Sequence, residues 1–168
     1  MQEWIPVPGS AKARLIEAAM HHFEQAGYEA ATVTELASKA GVTTGSLYHH
    51  FGSKLGLYTV VRDDLEKRIT DRMEGAAETI GAPGREAARV ALLVAFDATA
   101  RFGVCRLLGE TAPSDHPDRV RATLAALLPD GVQLASVLLV ATWRSALLEV
   151  ADGTPAATVR AALEFALD

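Results

Sequence analysis

The stretch TVTELASKAGVTTGSLYHHF, residues 32–51, decides the fold of the N-terminal part of this 168-residue chain. It opens with a capping box, in which Thr32 and Glu35 each satisfy a backbone N–H of the other. Apolar residues then recur at helical spacing until Gly41, which ends the helix after about two turns. Thr43 directly afterwards is a second N-cap. The pattern predicts two short helices joined by a tight turn.

The second of these helices has an apolar face and a polar face. Leu47 and Phe51 lie on the apolar face, one turn apart. The polar face carries hydrogen-bonding side chains that a core does not need, namely Thr44, Ser46, Tyr48, His49 and His50. Such side chains are suited to bases and phosphates. This arrangement is typical of a helix-turn-helix DNA-binding module, whose second helix enters the major groove.

The rest of the chain also shows helical spacing, without the sustained alternation of a strand. We expect a first helix over residues 10–26 that Gly27 ends, and a fourth of about 25 residues capped by Ser53. Asp130 with Gln133 resembles another capping pair. Further helices are predicted over residues 85–100, 104–110, 117–127, 130–151 and 155–167, the last two as an antiparallel hairpin. The predicted fold class is all-α with about nine helices.

Composition and charge give no direct support to DNA binding. The net charge is -5, and residues 1–58 hold four lysines and arginines against five glutamates. The single cysteine, Cys105, excludes a disulfide scaffold and favours a reducing compartment. The start of the chain does not have the pattern of a signal peptide, and the most apolar run, residues 132–143, is shorter than a membrane span. We therefore predict a cytoplasmic protein with no membrane partner.

The motifs of other chemistries are absent from the sequence. It contains no GxSxG elbow, no phosphate loop, no GxGxxG and no HExxH. The neighbouring His49 and His50 point about 100° apart on a helix and make poor co-ligands for a metal. We predict neither an enzyme nor a metal or cofactor site. An all-α enzyme would need polar groups converging in a pocket.

Residues 12–58 resemble the N-terminal domain of the tetracycline-repressor (TetR) family. The likeness is carried by RLI at 14–16, GY at 27–28, TVTELA at 32–37, AGV at 40–42, GSLYHHF at 45–51 and SK at 53–54. It implies a three-helix DNA-binding domain over residues 1–58, whose recognition helix opens at Thr43. The DNA contacts that the resemblance implies are Thr32, Thr34, Thr43, Thr44, Gly45, Ser46, Tyr48, His49, His50 and Lys54. Thr32, Thr34 and Lys54 would contact phosphates, and Thr44, Gly45 and Ser46 would lie nearest the bases.

For residues 59–168 the resemblance implies an effector-binding and dimerisation domain. A homodimer would bind a palindromic operator, and an unidentified small-molecule effector would release it allosterically through the long fourth helix. Candidate pocket residues are Phe96, Thr99, Cys105, Arg106, Trp143 and Arg144. The apolar hairpin of residues 130–151 and 155–167 suits a dimer interface, although its own subunit could equally bury it. An all-α interaction protein that binds no operator is the alternative function.

Overall fold

A computed structural model describes residues 7–113 and 116–168, and within them the chain forms nine α-helices and no β-strand. The helices are α1 (Ala11–Ala30), α2 (Val33–Lys39), α3 (Thr44–Phe51), α4 (Lys54–Glu78), α5 (Arg85–Phe102), α6 (Cys105–Gly109), α7 (Arg119–Leu127), α8 (Ala135–Ala151) and α9 (Ala156–Leu167). The all-α prediction is confirmed. The chain divides into a first unit that ends at Asp63 and a second unit that begins at Asp64. This boundary falls inside α4, a few residues beyond the predicted one.

In the first unit, α1 packs against α2 and α3. Leu15, Ala19 and Phe23 form its buried stripe, as the spacing predicts. Gly27 interrupts the helix with a φ of 78°, and a further turn reaches Ala30. Regular helical geometry therefore stops at Gly27, as predicted, although α1 continues to Ala30. Beyond it, the rings of Phe23, Tyr28 and Tyr58 pack together, with the Tyr28 and Tyr58 centroids 4.8 Å apart.

The predicted caps of the short helices are present. The backbone N–H of Glu35 donates to Thr32 Oγ1 at 3.2 Å, and the N–H of Thr32 donates to Glu35 Oε2 at 3.0 Å. The N–H of Ser46 donates to Thr43 Oγ1 at 3.2 Å. At the start of α4, the N–H of Gly56 donates to Ser53 Oγ at 2.9 Å. A Cβ on Gly56 would collide with the carbonyl oxygen of Phe51, so the fold itself requires that glycine.

The second unit is organised around α5, which packs against α6, α7, α8 and α9. The core side of α8 is formed by Val140, Trp143 and Leu147. At the close approach of α6 to α8, a Cβ on Gly109 would lie 3.0 Å from the Leu148 side chain. On the surface, α9 is tied to α5 by Arg160 Nε, 2.8 Å from Asp97 Oδ1.

Two helices start later than predicted, α8 by five residues and α7 by two. α8 begins at Ala135 rather than at residue 130, because Gly131 takes a φ of 88° and breaks the helix. Asp130 and Gln133 do bond each other, at 2.9 Å, but they close a turn that precedes the helix. α7 begins at Arg119, with Asp118 as its N-cap, two residues later than predicted.

Candidate nucleic-acid interface

The recognition helix predicted from the sequence is α3, and its polar face is exposed. Leu47 is fully buried and fixes the helix to the first unit. Tyr48 is 54% exposed, and so are most of its neighbours on the polar face, namely Thr44, Gly45, His49 and His50. Ser46 on the same face is half-buried. A Cβ on Gly45 would meet only Thr43 Oγ1, at an ordinary 3.7 Å. The fold therefore gives no reason for a glycine at position 45.

The threonines predicted to contact DNA differ in what their hydroxyls already do. The hydroxyl of Thr32 accepts the Glu35 N–H and donates to Glu35 Oε2 at 2.7 Å. The hydroxyl of Thr43 caps α3. Thr34 is exposed beside them at the start of α2. Thr34 is thus better placed to bind a phosphate with its side chain, whereas Thr32 and Thr43 first of all set the two helix starts.

The basic side chains of the first unit are largely committed to neighbours within that unit. Lys54 Nζ donates to the carbonyl oxygens of Tyr28 and Ala31, both at 2.9 Å, and lies 4.2 Å from the centre of the Tyr28 ring. Arg14 Nε donates to the Ala40 carbonyl at 3.0 Å. Lys39 Nζ lies 2.8 Å from His22 Nδ1. The predicted phosphate contact of Lys54 stays a prediction, and the structure gives this residue a different task, which is to hold the end of α1 against the start of α4.

Substituting Lys54 is therefore expected to destabilise the first unit. Lys54→Met keeps the aliphatic stem but removes two charge-assisted hydrogen bonds, which should lower the free energy of unfolding by about 1.5–3 kcal/mol. Thermal unfolding followed by circular dichroism measures this. The matched control is Lys67→Met, because Lys67 is an exposed lysine on the same helix that pairs with Asp71. An equal melting temperature for the two variants would contradict the structural role of Lys54.

The six predicted pocket residues lie in different surroundings. Four of them, Phe96, Thr99, Cys105 and Trp143, are packed in the core of the second unit and are at most 3% exposed. Arg106 is not in this core group, because its guanidinium forms an ion pair with Asp152, with an Nη 2.6 Å from Oδ1. Sequence reasoning could not separate core from pocket here, because both are built from the same apolar residue types.

Arg144 alone among these six lines a cavity of about 410 Å³ between α6, α7 and α8. It binds Asp118 at 3.0 Å, and its buried Nε has no hydrogen-bond partner among the residues that the structure describes. Arg121, for which the sequence gives no signal, lines the same cavity. In the described ranges, no helix is long and apolar enough to cross a membrane. The same ranges contain no group of three or more His, Cys, Asp or Glu side chains that could hold a metal ion.

Part of the chain matches a known protein family. Residues 15–61 match the family model described as bacterial regulatory proteins, tetR family. The HTH-type transcriptional repressor KstR2 of Mycolicibacterium smegmatis is 34% identical over 76 residues, which are 45% of this chain and 37% of that protein. The chain thus aligns with less than two fifths of the length of this curated relative.

Solved structures share the fold over nearly the whole chain. A tetR family transcription regulator from Shewanella sp. PV-4 superposes with a TM-score of 0.70 at 20% identity, over 94% of this chain and 95% of that one. The regulator FadR from Bacillus subtilis, solved in complex with stearoyl-CoA, gives a TM-score of 0.70 at 14% identity, over 92% and 96%. These proteins are named as transcription regulators and not as enzymes, as the sequence predicted for this chain. Residues 15–61 are therefore a domain of the tetR family of bacterial regulatory proteins, and the chain shares the fold of the solved regulators.

Proposed function

We propose that this protein is a cytoplasmic transcription regulator that binds a palindromic operator as a homodimer, and that a small molecule releases it. The observation that carries the proposal is α3, whose apolar side is anchored by buried Leu47 while its polar side faces outward. Thr44, Gly45 and Ser46 would lie nearest the base edges, and Tyr48, His49 and His50 would reach the backbone or neighbouring bases. The N-terminus of α3 itself favours phosphate oxygens.

The charge distribution supports weak DNA binding by a monomer and tight DNA binding only by a dimer. Because Arg14, Lys39 and Lys54 are held by neighbours, one unit offers few mobile cations to phosphates. Its contacts would be mostly neutral hydrogen bonds, each worth only about 0.5–1.5 kcal/mol. Two modules on one frame bind far more tightly than one, since the second half-site is engaged within the same complex. Operator binding is therefore proposed to depend on dimerisation.

An exposed apolar face on α8 and α9 supports this dimer. Leu134 is 80% exposed, Leu138 71%, Val137 42% and Phe165 84%. Exposed large apolar side chains on two helices that pack together are typical of an interaction site. The opposite side of α8 is buried in its own unit. The sequence left open whether the subunit or a partner covers this hairpin, and the exposed side supports a partner copy.

The effector is proposed to bind in the second unit. The cavity beside Arg144 has room for a small molecule, and its walls combine apolar α8 residues with arginine side chains. α4 is shared by both units, so a ligand that favours one position of this helix is coupled to DNA binding by linkage. The alternative, an interaction protein without operator binding, predicts no specific DNA complex.

Replacing Tyr48 tests the proposed function. DNA fragments tiled across the region upstream of the protein's own gene would first be searched by fluorescence polarisation for specific, salt-sensitive binding. Tyr48→Ala should then weaken binding to the selected fragment about tenfold or more, because two half-sites each lose a contact of about 1 kcal/mol. Val60→Ala is the control, since Val60 is also exposed but lies on α4. The interaction-protein alternative gains support if the wild type selects no fragment, or if Tyr48→Ala binds the selected fragment as tightly as the wild type does.

A further inference from the structure

His22 on α1 connects to both ends of α2. It is 7% exposed. Its Nδ1 lies 2.8 Å from Nζ of Lys39, the last residue of α2, and its Nε2 lies 3.6 Å from Oε2 of Glu35 in the first turn. One imidazole ring therefore faces the first and the last turn of the seven-residue helix that precedes the recognition helix.

The contact with Lys39 fixes the protonation state of the ring. A lysine ammonium only donates, so Nδ1 must accept and cannot carry a proton. The proton of the neutral ring is then on Nε2, directed toward the Glu35 carboxylate. At 3.6 Å this is longer than a hydrogen bond, and within residues 7–113 and 116–168 the buried Nε2 has no hydrogen-bond partner. The geometry thus suits neutral His22 and no other state.

A second proton on His22 would disturb α2 at both of its ends. At Lys39 it would place two positive donors 2.8 Å apart, which expels the lysine side chain. At Glu35 it would attract Oε2, the atom that already accepts hydrogen bonds from the backbone N–H and the hydroxyl of Thr32. Lys39 and Glu35 are the charged side chains that lie against the two ring nitrogens.

Glu35 itself stays ionised throughout the range in which a histidine changes charge. Hydrogen bonds from Thr32 hold the pKa of Glu35 below its ordinary value of 4.5. A carboxylate whose pKa is lowered by folding stabilises the folded state at any pH above its ordinary pKa. This stabilisation is lost only as the pH falls from the ordinary pKa toward the lowered pKa. A change in α2 at a pH above the ordinary pKa of Glu35 therefore does not come from Glu35.

We propose that His22 is a positioning residue for DNA binding, which holds α2 against α1 while neutral and loosens it when protonated, so that operator affinity falls. The inference rests on the proposed DNA-binding function. An opposing effect comes from His49 and His50 on the exposed face of α3, because their protonation adds positive charge near phosphates. The pH profile of the wild type alone mixes the two effects, and a variant at position 22 separates them.

The variant is His22→Gln, whose amide oxygen can accept from Lys39 and whose side chain does not titrate. Operator affinity of the full chain would be measured by fluorescence polarisation at about pH 8 and about pH 5.5. The variant should bind like the wild type at the higher pH and about fivefold more tightly than the wild type at the lower pH, the value of one hydrogen bond. His21→Gln is the matched control, because His21 is the exposed neighbour on the same helix and should keep the wild-type profile.

Two measurements without DNA keep the inference testable on its own. Thermal unfolding should give equal melting temperatures for the wild type and His22→Gln at about pH 8, and a lower one for the wild type at about pH 5.5. Nitrogen-15 imidazole spectra of the wild type should show the Nε2–H tautomer of His22 at the higher pH, a result that needs no variant.

Parallel pH profiles of affinity for the wild type and His22→Gln would overturn the inference, as would a protonated Nδ1 at about pH 8. Absence of operator binding at both pH values overturns instead the proposed function and the DNA-binding half of the inference. The unfolding and tautomer results then still decide whether His22 holds α2.

Discussion

A chain that carries Leu138→Glu together with Phe165→Glu is expected to sediment as a monomer under conditions in which the wild type sediments as a dimer, and to lose about a hundredfold or more in operator affinity. The loss in affinity is of the order that separates bivalent from monovalent attachment, about 10² to 10⁴. Few mobile cations remain on one DNA-binding unit to compensate for it.

The physical reason lies in the symmetry of a two-fold interface. Leu138 and Phe165 are 71% and 84% exposed on α8 and α9. In a two-fold dimer each substitution occurs twice, so four carboxylates would be buried against apolar surface or against each other. The monomer itself loses little, because neither side chain contributes to its core.

Ile80→Glu serves as the matched control for this variant. Ile80 is 39% exposed and lies just beyond the end of α4, outside the α8 and α9 face. It should remain dimeric and bind operator like the wild type. A Leu138→Glu, Phe165→Glu variant that stays dimeric would place the interface elsewhere, and one that is monomeric but binds with unchanged affinity would contradict the dependence of DNA binding on the dimer.

The parts of the fold that local chemistry determines were predictable from the sequence. The capping box of Thr32 and Glu35, the cap at Thr43 and the start of α4 after Ser53 depend on residues three positions apart, so reading along the chain suffices. The start of α8 was missed because Asp130 and Gln133 form the same bond in a turn as in a capped helix. Only the positive φ of Gly131 separates the two cases.

The parts that depend on contacts across the chain were not predictable. Lys54 looks like a phosphate ligand from its position, yet its ammonium binds carbonyl groups 23 and 26 residues earlier. His22 belongs to no sequence motif, yet it is buried against Lys39, 17 residues away. A local sequence pattern spans too few residues to reveal contacts between residues so far apart in the sequence. Trp143 is 1% exposed in the core of the second unit, and its place in a ligand pocket stays a prediction.

Replacing Gly45 with leucine should separate DNA binding from folding more sharply than any other change in α3. The position is helical and exposed, and nothing but Thr43 Oγ1 lies within 4 Å of a Cβ placed there. The folded protein should accept the side chain, and its free energy of unfolding should stay equal or rise by less than about 1 kcal/mol, because leucine favours a helix more than glycine does.

The same leucine should prevent α3 from fitting its groove, since its side chain would occupy the space through which the backbone is proposed to approach the bases. If each half-site loses about 1.4 kcal/mol, a factor of ten, the dimer loses about a hundredfold in specific affinity. Gly75→Leu is the control, because Gly75 is an exposed helical glycine on α4 with nothing within 4 Å of a Cβ. Polarisation and thermal unfolding would be measured on both variants. Unchanged operator binding by Gly45→Leu would mean that α3 does not enter the groove by its N-terminal turn, and the glycine that the fold does not need would then have no explanation in DNA contact either.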